Sequence, residues 1–183
     1  MHRLIACLSA GFVSLAPGMG LGDQPAAPSA SRPVEFAGPK IVPAEALAAA
    51  LGVWLSATVD LPKAPPPVIR FSAPEEMAAL YRGAGAAAVG GGLPVAALYD
   101  RSERTIHLSE GWTGSSAAEL SILVHEMVHH LQHEAGFRPG CPAQGEVLAY
   151  EAQARWLDHF GRDLTKELAI DPLFLKLLAV CGL

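Results

Sequence analysis

The chain has 183 residues, of which 51% are hydrophobic, and it carries a formal net charge of −5 at pH 7. This length suits one domain that can bury a sizeable core. Because the chain is acidic overall and has no cluster of basic residues, we expect no nucleic-acid partner.

The N-terminus has the three-part layout of a secretory signal peptide. A short basic start, His2 and Arg3, precedes an apolar run from Leu4 to about Leu15, and small residues follow it. The alternative, a membrane anchor, would need about 20 apolar residues to cross a bilayer. We therefore predict that residues 1–22 are a signal peptide, that the protein is periplasmic or secreted, and that no stable membrane span remains after cleavage.

The rest of the chain divides into a linker and a domain. Residues 23–40 are rich in Pro, Ala and Ser, which predicts a flexible linker and leaves residues 41–183 as the folded domain. Cys7 would be removed with the signal peptide. In an oxidising compartment the remaining pair, Cys141 and Cys181, predicts a disulfide bond, with two buried free thiols as the alternative.

The first half of the domain alternates between helical and extended patterns. Apolar residues three and four apart predict a helix within residues 42–59, and the β-branched segment 67–71 predicts a strand. Residues 73–83 predict a second helix, with proline and acidic residues at its start and glycine at its end. Two extended segments, 94–100 and 105–109, flank a polar turn and predict a β-hairpin.

The second half is predicted to be helical. Ser116 and Glu119 have the spacing of a capping box, which opens a helix that ends near Gly136. A further helix is expected over residues 145–161, and a last helical turn or two within residues 171–180. This order of elements predicts a small α+β domain with an antiparallel or mixed sheet.

The segment "VHEMVHHLQHE" (124–134) contains the pattern H-E-x-x-H at residues 125–129. Residues four apart lie one turn apart on an α-helix, so His125 and His129 project to one side and could share a Zn²⁺ ion. Glu126 would be close enough to take a proton from a water that the metal activates. Apolar residues form a stripe along the same helix, so two hydrogen-bonded core histidines are the alternative interpretation.

Catalytic zinc needs a third protein ligand and an open position for water. A ligand from another helix is preferred to His133, which lies one turn beyond His129 on the same helix. Counting 100° per residue places Glu146 on the packed face of the next helix, whereas Glu151 lies on the solvated side. Because a buried carboxylate is costly unless it is paired or bound to a metal, Glu146 is the predicted ligand, and Glu151 stays open as the alternative.

The other two histidines of the segment are given no metal role. His130 is expected to face away from His125 and His129, toward packed residues or solvent. His133 is expected to pack or to lie at the rim of the site.

These motifs resemble those of gluzincins, zinc metallopeptidases in which a Glu on the next helix completes H-E-x-x-H. "EVLA" (146–149) is similar to the E-x-x-A context of that Glu, and "EAQA" (151–154) also matches it formally. The resemblance implies a minimal zincin-like fold whose edge strand holds a peptide, either "TIHLS" or its hairpin partner. It also implies a residue that stabilises the oxyanion, for which Tyr150, His107 and Tyr99 are candidates.

The first functional hypothesis is an exported zinc metallopeptidase with a peptide or protein substrate. His125, His129 and Glu146 would bind the metal, and Glu126 would act as general base and then as proton donor to the leaving amine. The alternative is a non-catalytic zincin-fold module that binds metal and recognises a partner protein or peptide. A helical exported protein without metal is the third hypothesis.

Overall fold

The computed structural model describes residues 42–83 and 95–178, all of which belong to one compact unit, Lys40–Leu183. The predicted signal peptide, the linker and Cys181 lie outside the described residues, so those predictions stay predictions. In chain order the described elements are α1 (Ala44–Thr58), β1 (Val68–Ser72), α2 (Pro74–Gly83), β2 (Ala97–Asp100), β3 (Thr105–Ser109), α3 (Ala117–Glu134), α4 (Pro142–Asp158), α5 (Leu164–Glu167) and α6 (Pro172–Leu178).

This mixture of helices and a small sheet confirms the α+β class, and two helical regions differ from the prediction. α4 begins at Pro142, three residues before the predicted start, because proline fits the first helical position, where no N–H bond is lost. The short helix α5 was not predicted. Asp163 precedes it as the N-cap, and its carboxylate accepts a hydrogen bond from the Lys166 N–H.

The sheet is mixed and has the strand order β1-β3-β2. β1 runs parallel to β3, with α2 as the connection on the way, and β2 pairs antiparallel with β3 as the predicted hairpin. β3 is therefore the central strand. Residues 105–108 of β3 are all buried, so both faces of the sheet are covered there.

Helix α3 is the core helix, as its apolar stripe predicted. The Ser116 hydroxyl caps it by accepting a hydrogen bond from the Glu119 N–H at 3.1 Å. The reciprocal half of the capping box differs, because the Glu119 carboxylate accepts from Thr113 N and Ser115 N instead of Ser116 N. The apolar side chains that α3 buries in the core are Leu123, Val124, Met127, Val128 and Leu131.

Helices α3 and α4 make the most extensive contact between elements of the domain. They approach closely at Gly145, where an added Cβ would lie 3.4 Å from the Gln132 amide oxygen. The lack of a side chain there brings the backbone before Glu146 against α3.

None of the described helices is both long enough and apolar enough to cross a membrane.

Candidate metal centre

His125 and His129 lie on one side of α3, one turn apart. Their ring centroids are 4.9 Å apart, and their side chains are 13% and 21% exposed. The pair therefore lies at the boundary between the core and solvent, where a ligand can reach both rings.

Helix α4 brings Glu146 to the two histidines. Its Oε2 atom lies 3.1 Å from His125 Nε2, and its Oε1 atom lies 3.3 Å from His129 Nε2. One donor atom from each of the three residues lies within 4.8 Å of the others, so this group could hold a metal ion. The alternative ligand Glu151 is exposed on α4, on the solvated side that helical counting gave it.

The charges of the three residues support one another. Burial acts to raise the pKa of Glu146, but hydrogen bonds from His125 and His129 outweigh it and hold the pKa far below its usual range. Burial acts to lower the pKa of His129, but its bond to Glu146 and the charge of Glu126 raise it above its ordinary value. Each Nε2 atom meets a carboxylate oxygen of Glu146, and a cation could bind at this position between imidazole and carboxylate.

Glu126 follows His125 on α3 and is 8% exposed. Within the described residues its carboxylate accepts no hydrogen bond, although its negative charge acts on both His129 and Tyr150. Its carboxylate oxygens are not among the enclosed polar atoms of the described residues, so a water or a substrate beside the three ligand candidates can reach them.

Two glutamines, neither of which was predicted as a site residue, contact the two histidines from the side opposite Glu146. Gln153 Oε1 lies 3.1 Å from His125 Nδ1, and Gln132 Oε1 lies 3.3 Å from His129 Nδ1. Gln153 lies two helical turns after Glu146, on the same face of α4. The contact joins residues 28 positions apart, so only the packing of α3 against α4 defines it.

Residues 40–182 match the family described as Domain of unknown function (DUF6647). The chain belongs to this family. The matched range of this DUF6647 domain includes the three ligand candidates, His125, His129 and Glu146, and also Glu126. No curated protein and no solved structure matches the chain.

The three oxyanion candidates have different surroundings in the DUF6647 domain. Tyr150 packs edge-on against the His125 ring, with 4.6 Å between centroids, and burial raises its pKa to about 12. His107 is 3% exposed and its Nδ1 lies 2.9 Å from Ser72 Oγ. The Tyr99 hydroxyl contacts two histidines on the other side of α3. Of the three, Tyr150 is the one in contact with a predicted ligand.

Tyr99, His130 and His133 form a second polar cluster of the DUF6647 domain, here called the tyrosine cluster. The Tyr99 hydroxyl lies 2.8 Å from His133 Nδ1 and 3.1 Å from His130 Nδ1. The other nitrogen of His130 donates to the carbonyl oxygen of Pro65 at 2.8 Å. The cluster ties β2 and the segment before β1 to α3, so His130 packs as expected, while the bond from His133 to β2 was not predicted.

Proposed function

We propose that this protein is an exported zinc-dependent metallopeptidase of the gluzincin type. The observation that carries the proposal is the convergence of His125, His129 and Glu146 from two helices, beside the Glu126 carboxylate, which makes no hydrogen bond within the described residues. A water or a substrate beside the three residues could therefore use that carboxylate as a hydrogen-bond acceptor.

The donor set fits Zn²⁺. Two imidazole nitrogens and one carboxylate oxygen are the three protein ligands of many catalytic zinc sites, which keep the fourth position open. When bound, zinc would polarise the scissile carbonyl and lower the pKa of water at the site. The partial exposure of the three side chains supports access for a substrate.

Glu126 is the proposed general base. It would take a proton from the attacking water and then transfer that proton to the leaving amine. Tyr150 is the proposed oxyanion donor, because a phenol is protonated at neutral pH and can donate a hydrogen bond, and burial raises the pKa of Tyr150 further, to about 12. Its hydroxyl makes no hydrogen bond within the described residues, so that donor is available.

A minimal zincin-like fold and an edge strand that binds peptide belong to the same proposal. Of the two strands considered, β3 is central and paired on both sides, so it has no free backbone groups for a further strand. β2 is the edge strand that contacts α3, through the tyrosine cluster. This position supports β2 as the strand beside which a peptide would extend.

Export is proposed from the N-terminal sequence, and the pairing of Cys141 with Cys181 follows from the oxidising compartment that export implies. Peptide substrates of the periplasm or the cell exterior are therefore the class to test.

The test compares wild type, Glu126→Gln and the control Glu151→Gln for hydrolysis of a mixed-sequence fluorogenic peptide library, with and without chelator. We expect chelator-sensitive hydrolysis in wild type and Glu151→Gln, and a loss of at least about 100-fold in Glu126→Gln with unchanged zinc content. Hydrolysis that survives in Glu126→Gln would contradict the mechanism. One equivalent of zinc with no hydrolysis would favour the non-catalytic module, and no zinc at all would favour the metal-free protein.

A further inference from the structure

The glutamine pair, Gln132 and Gln153, lies directly behind the two histidines. Both side chains are buried, with 6% and 2% exposure, and each places its amide oxygen at the Nδ1 atom of one imidazole. An oxygen at this position accepts a hydrogen bond from an Nδ1–H group. The question is whether the two amides are held in this orientation or are free to turn over.

The hydrogen bonds of the two amide nitrogens show how each amide is oriented. Gln132 Nε2 donates to the backbone carbonyl oxygen of Gly145 at 3.0 Å, a partner that can only accept. Gln153 Nε2 donates to Ser121 Oγ at 3.2 Å. The Ser121 hydroxyl in turn donates to the Ala118 carbonyl oxygen at 2.7 Å. Turning the Gln132 amide over would place its oxygen against the Gly145 carbonyl oxygen, so the Gln132 amide oxygen must face His129. Turning the Gln153 amide over would require the Ser121 hydroxyl to give up its bond to the Ala118 carbonyl oxygen, so the observed orientation is the one that keeps both bonds of Ser121.

The orientation of the amides fixes the tautomer of each histidine. Glu146 accepts hydrogen bonds from both Nε2 atoms in the metal-free protein, and a metal ion at this position would replace the Nε2 protons. An imidazole that binds a metal is neutral and keeps one N–H; because each glutamine oxygen accepts from Nδ1–H, the remaining proton stays at Nδ1 and the lone pair lies at Nε2. We propose that Gln132 and Gln153 are positioning residues that set the Nδ1–H tautomer of His125 and His129 and so present both Nε2 lone pairs to one metal ion. This inference rests on the proposed metal centre.

The choice of amides over carboxylates has a second consequence. A carboxylate behind a histidine ligand adds a negative charge and makes the ligand more basic. Neutral amides orient the rings without adding that charge, so Glu146 remains the only anion among the three ligand candidates and their orienting partners. Within this set of ligands and orienting groups, a divalent cation would therefore keep a net positive charge, which would favour polarisation of a carbonyl.

The two glutamines differ in how they would tolerate an added charge. In Gln153→Glu the Ser121 hydroxyl can rotate and donate its proton to the new carboxylate. In Gln132→Glu the new carboxylate oxygen would face the carbonyl oxygen of Gly145, which has no proton to give. A packing role alone would not distinguish these two isosteric changes.

The experiment measures zinc affinity by competition with a chromophoric chelator, together with thermal melting of the zinc-free forms. We expect Gln132→Leu and Gln153→Leu to weaken zinc binding by about 10- to 100-fold each. Gln144→Leu is the matched control, because Gln144 is exposed on α4 two residues before Glu146, and its affinity should equal that of wild type. Gln153→Glu should bind zinc at least as tightly as wild type, whereas Gln132→Glu should bind it more weakly.

The outcomes separate this inference from the proposed function. If wild type binds no zinc, the metal centre itself is contradicted, and the inference with it. If wild type binds zinc and both leucine variants bind it within about twofold of wild type, the inference alone is overturned. Should the leucine variants fail to fold, the glutamate variants decide: equal affinities for Gln132→Glu and Gln153→Glu would overturn it.

Discussion

Helix α3 carries two pairs of histidines that resemble each other in sequence and differ in what their nitrogens contact. His125 and His129 turn one nitrogen toward a glutamine and the other toward Glu146 at the edge of the core. His130 and His133 instead both contact the Tyr99 hydroxyl through their Nδ1 atoms. The two sites share one helix and face different neighbours.

The difference shows what makes a histidine available to a metal. Both nitrogens of His130 are bonded to neutral protein groups, Tyr99 and the Pro65 carbonyl, in a buried position that leaves no lone pair for a cation. At His125 and His129 the second nitrogen faces an anion, from which a cation can displace the proton. A cluster whose hydrogen bonds are complete stabilises the fold, and one whose last partner is a carboxylate can bind metal.

The sharpest way to break this comparison is to remove one histidine from each pair. His129→Ala should weaken zinc binding by more than about 100-fold, because a ligand is lost, which exceeds the effect of losing a group behind a ligand. His130→Ala should keep wild-type affinity and instead lose about 2–4 kcal/mol of unfolding free energy, because a buried side chain is removed and the Tyr99 hydroxyl and the Pro65 carbonyl lose their bonds. Isothermal titration with zinc and chemical denaturation in chelator measure the two effects. Equal zinc affinities for the two variants would contradict the assignment.

The next effect concerns the two glutamates of α4. Glu146→Gln should lower zinc affinity by about 10- to 100-fold, because a neutral amide oxygen is a weaker ligand than a carboxylate. Glu151→Gln should leave it unchanged, since Glu151 is exposed. The same titration, with circular dichroism as a check on folding, tests both variants. A loss of zinc in Glu151→Gln with retention in Glu146→Gln would reverse the choice of ligand.

How much of the structure could be predicted from the sequence depends on how far apart in the chain the interacting residues lie. The helix α3 and its histidine spacing depend on residues within a few positions of each other, and periodicity alone placed Glu146 inward and Glu151 outward. The hairpin and α2 were likewise predicted from local turn and end signals, and α2 has the predicted limits, Pro74–Gly83.

What sequence could not supply are contacts between distant residues. The bond from Gln153 to His125 and the bond from Tyr99 to His133 each join different elements, and a single chain offers no local pattern that pairs them. The position of β3 at the centre of the sheet is of the same kind, because it depends on β1 pairing across an intervening helix. Side-chain roles that depend on such pairings were therefore left open or missed.

The pH dependence of zinc binding is expected to sharpen the comparison further. The pKa of His129 is raised, so its ion pair with Glu146 stabilises the zinc-free protein below about pH 6.5 and is lost as pH rises through the raised value. Zinc needs the same nitrogen unprotonated, so its affinity rises over that range. The difference in melting temperature between zinc-loaded and chelator-treated protein should therefore grow from pH 6 to pH 8. The same growth should appear in His130→Ala, and a difference that shrinks with pH would contradict the proton competition.

The smallest expected effect is that of the tyrosine hydroxyls. Tyr99→Phe removes the group between His130 and His133 and leaves the buried His130 Nδ1 without its donor, which should cost about 1–3 kcal/mol of unfolding free energy. Zinc affinity should stay within about twofold of wild type, because no ligand candidate contacts that hydroxyl.

Tyr150→Phe is the matched control for Tyr99→Phe. The Tyr150 hydroxyl makes no hydrogen bond within the described residues, so its removal should change the unfolding free energy by less than about 0.5 kcal/mol. Urea denaturation of both variants in chelator measures the contrast. If Tyr150→Phe were the more destabilising of the two, the hydroxyl proposed to be free for the substrate would instead be structural, and the division of α3 into a metal-binding side and a structural side would fail at that residue.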